Sequence, residues 1–408
     1  MITTSMRRRI AAGVAPLART RSARKIALGV SVAAVAAAAL AVAGCGGRTD
    51  RSVALEPKSG HSEPKLRRAL DGFVGAGVPG AIVLVRDGNE TVRMASGYRN
   101  LAAKTPLRPT DRFRVGSVTK SFVATIVLQL VGEDKLALDD TVERWLPGLV
   151  PNGELITVRE LLNHTSGLFD YTADPRFIGR ALRKRGAVWS PRRMLRLATS
   201  HPPGFAPGAR WAYSNTGYIV LGLVVQAASG HRIGTELRWR IFEPLRLRAT
   251  SFDSTPQIAG AYAHGYFALT GQRQDASAFS PSAAWAAGAI VSSADDLARF
   301  YRALLGGRLL RPGLLRAMQT TVPVPADPHR GGSGLGLFET GSPCGRIWGH
   351  DGTFFGYQTL AWSSPDAQRQ IVAMVNDAPL SDDAMKALRR LVDTAYCGPD
   401  DGHGRRAR

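Results

Sequence analysis

The stretch Arg114-Val115-Gly116-Ser117-Val118-Thr119-Lys120-Ser121-Phe122 places a serine and a lysine three residues apart, at the start of a strongly apolar segment. Positions i and i+3 of a helix share one face, so the amine of Lys120 can reach the hydroxyl of Ser117. A serine hydroxyl becomes a nucleophile when a base removes its proton, and a lysine in a dry site has a lowered pKa and can be that base. A helix cap beside a solvated lysine would show the same spacing.

A second stretch, Arg210-Trp211-Ala212-Tyr213-Ser214-Asn215-Thr216-Gly217-Tyr218, carries a tyrosine and an asparagine separated by one residue. In extended backbone such residues point to the same side, so Tyr213 and Asn215 can face one site. A phenol can relay the proton of the serine, and an amide can hold a substrate carbonyl together with the lysine. The alternative is a core tyrosine beside a turn formed by Asn-Thr-Gly.

A third stretch, Trp348-Gly349-His350-Asp351-Gly352-Thr353, leads into a predicted strand. Its glycines allow a substrate backbone to approach the strand edge, and backbone N–H groups there can bind an oxyanion. His350 can donate a hydrogen bond or supply positive charge. A turn with a surface histidine would have the same sequence, so each of the three stretches is a weak signal alone.

Together and in this order, the three stretches resemble the motifs of the serine beta-lactamase and D-alanyl-D-alanine peptidase superfamily. The histidine-x-glycine form of the third motif is similar to that of the class C beta-lactamase and DD-carboxypeptidase branch. Residues 157–168, 207–208 and 287–297 also look like this branch, and the resemblance covers about residues 63 to 398. Cys344 and Cys397 look like the paired cysteines of secreted DD-carboxypeptidases.

The resemblance implies a catalytic set of Ser117, Lys120, Tyr213 and His350. Ser117 would attack a carbonyl and form an acyl-enzyme, which water or an amine then releases. Lys120 and Tyr213 would share the proton transfers, and which of them is the base stays open. No cofactor is implied.

The same resemblance implies that Asn215, Gly352 and Thr353 bind the substrate. The backbone N–H groups of Ser117 and Thr353 would form the oxyanion hole. These residues complete the site expected from the sequence.

The function expected from this resemblance is an extracytoplasmic, penicillin-binding enzyme similar to the D-alanyl-D-alanine carboxypeptidases, acting on cell-wall peptides. One departure argues against strict carboxypeptidase specificity: Asp351 occupies the middle of the third motif, and an acid there repels a substrate carboxylate. An esterase or a beta-lactamase of the same superfamily is an alternative, with an ester or a beta-lactam as substrate. A non-catalytic, lipid-anchored binding protein is another.

Hydrophobic patterning predicts an α+β fold, and the resemblance implies that this fold is of the beta-lactamase and transpeptidase type. Strand patterns lie near both ends of the body, at 80–85, 91–95, 346–348, 357–362 and 370–375, and helical patterns dominate between them. The fold should therefore contain an antiparallel sheet built from both chain ends, flanked by helices, with a mostly helical subdomain. The hydrolase domain is predicted at 63–398, with the helical insertion at about 121–280.

The first residues resemble an export signal. An arginine-rich start is followed by an apolar run that ends Val42-Ala43-Gly44-Cys45, which is similar to a bacterial lipobox. Residues 1–44 are therefore predicted to be a signal peptide, Cys45 a lipidated residue, 45–62 a membrane tether and 399–408 a disordered tail. An uncleaved membrane span and plain secretion are alternatives. Each places the body outside the cytoplasm, on the outer face of the cytoplasmic membrane or secreted.

The formal net charge is +21, and seven of the basic residues precede Cys45. A second cluster of eight basic residues lies between 176 and 196. A basic surface attracts polyanions, but an arginine-rich solvated helix face explains the cluster equally well, and no zinc-finger spacing, RNP motif or basic zipper accompanies it. We therefore predict no nucleic-acid partner. The absence of CxxC and HExxH patterns predicts no metal site, and the oligomeric state is not predicted.

Overall fold

The computed structural model describes residues 63–269, 272–325 and 330–398. The predicted signal peptide, Cys45, the tether and the tail lie outside these residues. Among the helices within the described ranges, none is long and apolar enough to cross a bilayer.

The described residues contain thirteen strands and eleven α-helices. The strands are β1 (Gly80–Asp87), β2 (Glu90–Asn100), β3 (Thr105–Pro106), β4 (Phe113–Arg114), β5 (Ser251–Phe252), β6 (Tyr266–Leu269), β7 (Gln272–Asp275), β8 (Ile290–Ser292), β9 (Arg330–Ser333), β10 (Phe338–Ser342), β11 (Gly345–Phe354), β12 (Tyr357–Ser363) and β13 (Arg369–Val375). The helices are α1 (Glu63–Gly75), α2 (Thr119–Gly132), α3 (Val142–Trp145), α4 (Val158–Leu162), α5 (Pro175–Arg183), α6 (Pro191–Thr199), α7 (Asn215–Ser229), α8 (Ile233–Leu237), α9 (Ala294–Leu305), α10 (Pro312–Gln319) and α11 (Asp382–Cys397).

The central sheet has eight strands in the order β3-β2-β1-β13-β12-β11-β10-β9, and neighbouring strands are antiparallel. β1 pairs with β13, with Ile82 opposite Met374, so the first and last long strands meet in the middle. The predicted α+β fold, with a sheet built from both chain ends, is confirmed.

Both faces of the sheet are covered, which explains why β1 is a continuous apolar run. Side chains alternate between faces along a strand. Ile82 and Leu84 pack into the large core formed with the middle helices, α2 and α7 among them. Val83 and Val85 pack into a second core with α1 and α11. The terminal helices therefore form one layer and the middle of the chain forms the other.

The middle of the chain also contains short strands that the sequence did not predict. β4, β8 and β5 form a three-stranded sheet, and β6 and β7 form a hairpin. Of these, only β8 has an apolar pattern typical of a strand, Ala289-Ile290-Val291. β4 and β5 have two residues each, too few to show a period of two. The proposed domain boundaries stay a prediction.

The basic cluster between 176 and 196 is more than a solvated helix face. Arg176 pairs with the buried carboxylate of Asp174. The guanidinium carbons of Arg180 and Arg193 lie 5.7 and 5.2 Å from the ring centre of Trp189. Arg185 lies over Phe267 and Phe279 and donates to Gln274 of the β6–β7 hairpin. Several of these arginines therefore pack against aromatic rings of the same domain.

The structure contains a disulfide between Cys344 and Cys397. Cys344 lies in the turn between β10 and β11, and Cys397 ends α11. The bond therefore ties the last helix to the turn that precedes the third sequence motif.

We expect replacement of both cysteines, Cys344→Ser with Cys397→Ser, to lower the free energy of unfolding. Closing a loop across the 53-residue separation stabilises by about 4 kcal/mol in the chain-entropy description. Urea unfolding with and without reductant measures the effect. Reductant should destabilise the parent protein and leave the double variant unchanged; equal midpoints of the parent and the variant under oxidising conditions would contradict the prediction.

Candidate active site

Ser117 lies in a single 3-10 turn, Gly116–Val118, that leads directly into α2. Gly116 has a φ of +53°, in the left-handed region that favours glycine. A Cβ atom at Gly116 would lie 2.6 Å from the carbonyl oxygen of Thr353. Glycine is therefore needed at this position both for the turn and for the approach of β11.

Lys120 is fully buried, and its amine contacts three acceptors. In its charged form, the Nζ atom donates to Ser117 Oγ at 3.0 Å, to Asn215 Oδ1 at 2.8 Å and to the carbonyl oxygen of Ala287 at 2.7 Å. A neutral amine has two protons and one lone pair. When Asn215 and Ala287 accept the two protons, the lone pair points towards the hydroxyl of Ser117, which is the arrangement that a general base needs.

Burial lowers the pKa of Lys120 from its ordinary value to about 7, while the charges of Asp170 and Asp351 act in the opposite direction. A pKa near 7 gives the amine a substantial neutral fraction at neutral pH. The lysine can therefore accept a proton without the large energetic penalty of first deprotonating an ordinary ammonium.

The second motif meets Lys120 as its spacing predicted. Asn215 begins α7, and the ring of half-buried Tyr213 has its centre 5.0 Å from Lys120 Nζ. The amide orientation of Asn215 is defined on its other side, because Nδ2 donates to Asp170 Oδ2 at 2.9 Å. Ser117, Lys120, Tyr213 and Asn215 therefore lie in one site.

His164 packs against the ring of Tyr213 and binds the backbone on both sides of it, a role that was not predicted from the sequence. It follows α4, has a φ of +67° and is almost completely buried. Its carbonyl oxygen accepts from Ala212 N at 3.0 Å, and its Nδ1 accepts from Ser214 N at 3.3 Å. Its ring centre lies 4.4 Å from that of Tyr213. The sequence contained a signal for this residue, because His164 lies in the 157–168 stretch that resembles the family.

The third motif lies inside β11, whereas the sequence suggested that it precedes a strand. The strand continues to Phe354 because it pairs with β12 over that whole length. β10 pairs with β11 only as far as Gly349, so the part from His350 onwards has an edge beyond the β10 ladder. This edge lies against the Ser117 turn: a Cβ atom at Gly352 would lie 1.9 Å from the carbonyl oxygen of Val115 and 3.0 Å from Ser117 N.

His350 is buried at this strand, with 1% of its surface exposed. Its Nδ1 lies within hydrogen-bond distance of the carbonyl oxygen of Asp351, and its ring centre is 4.8 Å from that of Phe338. A carbonyl can only accept, so Nδ1 carries a proton. The imidazole is therefore held in one orientation.

A pocket opens beside Ser117, and its lining is largely apolar. None of the described residues that line it is a lysine or an arginine. The lining residues are Ser117, Tyr171, Thr172, Phe177, Asn215, Ala283, Ala284, Ala287, Gly288, Thr353, Phe354 and Phe355. A substrate in this pocket would lie against the Ser117 hydroxyl on one side and aromatic rings on the other. The described residues contain no cluster of three or more His, Cys, Asp or Glu side chains that would suit a metal ion.

Two contributors to the lysine environment were not predicted. The carbonyl of Ala287 has no side-chain signature, since any residue has one. Asp170 had a detectable signal, because Asp-x-Thr is typical of a side chain that caps its own turn: Asp170 Oδ1 accepts from Thr172 N and Thr172 Oγ1.

The profile of the Beta-lactamase family matches residues 66–395 of this chain. The D-aminopeptidase of Brucella anthropi is 29% identical over 331 residues, which are 77% of this chain and 58% of that protein. Penicillin-binding protein 4* of Bacillus subtilis (strain 168) is 27% identical over 313 residues, which are 73% of this chain and 68% of that protein. The chain thus spans only about three fifths of the length of the first of these relatives.

Among solved structures, a D-stereospecific amidohydrolase from Streptomyces sp. is similar to this chain. The two share 38% sequence identity with a TM-score of 0.76, over 82% of this chain and 99% of that chain. The similarity therefore extends over most of this chain and nearly all of that one.

We expect Gly352→Ala to slow the acylation of Ser117 severely. The added methyl group would overlap the carbonyl of Val115, so β11 and the Ser117 turn must separate, and displacements of this kind lower reaction rates by about 10²-fold or more. The rate of labelling of Ser117 by a fluorophosphonate measures the effect.

Gly341→Ala is the matched control, since it lies on the neighbouring strand β10 and a Cβ atom there has no other atom within 4 Å. It should label at the parent rate. Normal labelling of Gly352→Ala would show that the close approach of β11 is not needed.

Proposed function

Because this chain belongs to the Beta-lactamase family of serine hydrolases, we propose that it hydrolyses amide bonds of substrates that carry a free amino group, with D-configured residues as the preferred class. The proposal joins three supports: the Ser117–Lys120 geometry, the charges around the pocket, and the activities named for its relatives. The observation that carries it is the combination of two aspartates near Lys120 with a pocket lining that has no lysine or arginine among the described residues.

In the proposed reaction, Lys120 Nζ takes the proton of Ser117 Oγ as that oxygen bonds to the substrate carbonyl carbon. The oxyanion would be held by backbone N–H groups of Ser117 and Thr353, which both border the pocket. As the C–N bond breaks, the proton passes to the leaving nitrogen, with Tyr213 placed to relay it. Water then attacks the ester of the acyl-enzyme and releases the acid and Ser117.

The charges near the nucleophile favour an ammonium over a carboxylate. Asp170 and Asp351 both lie close enough for their charges to raise the pKa of Lys120 against the effect of burial. Arg346, the nearest arginine in sequence to the third motif, is exposed and pairs with Glu339 at 3.3 Å. The charges of these two acids would repel a terminal carboxylate of a substrate bound near Lys120 and would attract a free amino group.

The relatives support the same class. One relative is named a D-aminopeptidase and a similar structure is that of a D-stereospecific amidohydrolase. Another relative is named a penicillin-binding protein, so a penicillin-binding carboxypeptidase is the second candidate function. Asp351 is the specific observation that places it second.

We expect the purified protein to hydrolyse a D-aminoacyl p-nitroanilide that has an unblocked amine. Its N-acetyl counterpart should react at least about 10-fold more slowly, since it loses a charge interaction worth about 1.4 kcal/mol or more. The L-enantiomer, a D-alanyl-D-alanine peptide, a chromogenic cephalosporin and a p-nitrophenyl ester complete the panel, and kcat/KM is the quantity compared.

Ser117→Ala is the control for contaminating activity and should be inactive with every substrate. Asp351→Asn should lower the ratio of kcat/KM for the substrate with a free amine to kcat/KM for its N-acetyl counterpart. Faster hydrolysis of the D-alanyl-D-alanine peptide than of the free D-aminoacyl amide would overturn the proposal in favour of a carboxypeptidase.

We also propose that the protein is exported and anchored through Cys45. The support is the order of charged residues, apolar run and small residues before that cysteine in the sequence.

Expression of the full chain in a bacterium fed radiolabelled palmitate should give a labelled protein in the membrane fraction. Cys45→Ala should lose the label, because the thiol is the group that is acylated. Cys344→Ser is the control and should keep the label. A parent protein that stays unlabelled would contradict lipidation, and its recovery in the medium would indicate plain secretion.

A further inference from the structure

The amide of Asn215 lies between Lys120, which donates to it, and Asp170, which accepts from it. Its Oδ1 accepts from Lys120 Nζ at 2.8 Å, and its Nδ2 donates to Asp170 Oδ2 at 2.9 Å. An amide has one accepting end and one donating end, and the two ends exchange when the side chain rotates by a half-turn. Whatever determines that rotation therefore determines whether Lys120 meets an acceptor or a donor.

An ionised carboxylate only accepts hydrogen bonds, so it admits one of the two amide orientations. With Asp170 facing Asn215, the NH₂ group must point to Asp170 and the oxygen to Lys120. The reversed amide would place oxygen against oxygen on one side and N–H against the protons of Lys120 on the other. The second neighbour of Nδ2, Thr172 Oγ1, lies at 3.4 Å and is itself tied to Asp170, to which it donates at 2.9 Å.

We propose that Asp170 is a positioning residue that fixes the amide of Asn215 and, through it, the direction of the Lys120 lone pair. Asp170 does not need to touch the substrate for this role. The inference rests on the proposed acyl transfer by Ser117, since it concerns the geometry of the base in that reaction.

Asp170 is itself firmly held. Its Oδ1 accepts from Thr172 N at 3.0 Å, and its carbonyl oxygen accepts from Ala173 N at 2.9 Å, so the carboxylate caps its own 3-10 turn, Tyr171–Ala173. Thr216, the residue after Asn215, donates its hydroxyl to Phe169 O at 2.6 Å and accepts from Tyr171 N at 3.1 Å. The start of α7 and the Asp170 turn are therefore joined side by side.

The charge of Asp170 has a second, separable effect. The ring centres of Tyr213, which precedes α7, and Tyr218 of α7 lie 5.0 and 5.4 Å from Lys120 Nζ, and the charges of Asp170 and Asp351 act on its pKa. The next ionisable groups outwards are Tyr171, beside Asp170 in sequence, His164, whose ring packs on Tyr213, and His350, beside Asp351 in β11. Burial lowers the pKa of Lys120 to about 7, and among these groups Asp170 is the foremost one that raises it. Because the base is the neutral amine, activity rises with pH through this pKa. Loss of the Asp170 charge lowers the pKa and moves the rise to lower pH.

The test is the pH dependence of Ser117 acylation by p-nitrophenyl acetate between pH 5 and 9, using the full-length protein. The parent should show a rise with an inflection near pH 7. Asp170→Asn loses the charge and keeps one acceptor oxygen, which faces Asn215 when the NH₂ end turns towards Thr172. The inflection should fall by about one pH unit, and the plateau should lie above that of Asp170→Ala. Asp170→Ala removes the acceptor as well, and its plateau should fall by about 10²-fold.

A double-mutant cycle separates positioning from general loss of structure. If Asp170 acts through Asn215, then Asp170→Ala combined with Asn215→Ala should be no slower than the slower single variant. Asp174→Asn is the matched control: Asp174 caps the adjoining helix α5 and pairs with Arg176 and His201, away from Asn215. It should lower thermal stability and leave the inflection at the parent value.

Two results together would overturn the inference while leaving acyl transfer intact. The pH inflection of Asp170→Asn would equal that of the parent, and the rate losses of Asp170→Ala and Asn215→Ala would multiply in the double variant. A parent protein whose Ser117 is not acylated, as judged from the mass of the intact protein, would overturn the proposed function and the inference with it. Asp170→Asn keeps the test decisive if Asp170→Ala fails to fold.

Discussion

The burial of the Lys120 amine is the constraint on which the site depends. An amine with no exposure to water must find protein acceptors, and its charged form is costly unless several of them converge. The three acceptors come from separate parts of the chain: the turn before α2, the start of α7, and the 3-10 turn Trp285–Ala287. The lysine is therefore in place only when the helical layer is complete, so the fold forms together with the proposed base.

The sheet contributes an edge to which the helical layer fits closely. β11 pairs with β12 along its second half, and its other edge from His350 onwards meets the turn that carries Ser117. Two glycines, Gly116 and Gly352, allow backbone to touch backbone across this contact. Close packing of main chains leaves little freedom for either segment to shift. The nucleophile and the strand N–H groups are thus held at a fixed separation by packing in which few side chains intervene.

Sequence patterns predicted the elements that are long and periodic, and the site contacts that are local in sequence. β1 and β13 were found because their apolar patterns extend over several consecutive residues. The contact of Ser117 with Lys120 followed from helical spacing, and the common direction of Tyr213 and Asn215 followed from extended spacing.

What could not be predicted depends on contacts between distant segments. The carbonyl of Ala287 reaches Lys120 from 167 positions away and has no side-chain signature. β4 and β5 are strands only because β8 lies between them. The arginines near Trp189 looked like a solvated face because the sequence does not show which ring they cover. A short spacing in sequence determines which side chains share a face of a helix or strand, whereas these features form only when the layers pack together.

The balance of charge around Lys120 links the base to the proposed substrate. Burial and the two aspartates act in opposite directions on the lysine pKa and leave it near neutrality. An ammonium group that enters the same field disfavours a second positive charge, so it shifts Lys120 towards the neutral, proton-accepting form. A carboxylate in the same place would stabilise the charged lysine and weaken the base. For a substrate with a free amino group, the two aspartates therefore favour binding, and the bound ammonium in turn favours the neutral, active form of the base. A substrate with a terminal carboxylate gains neither advantage.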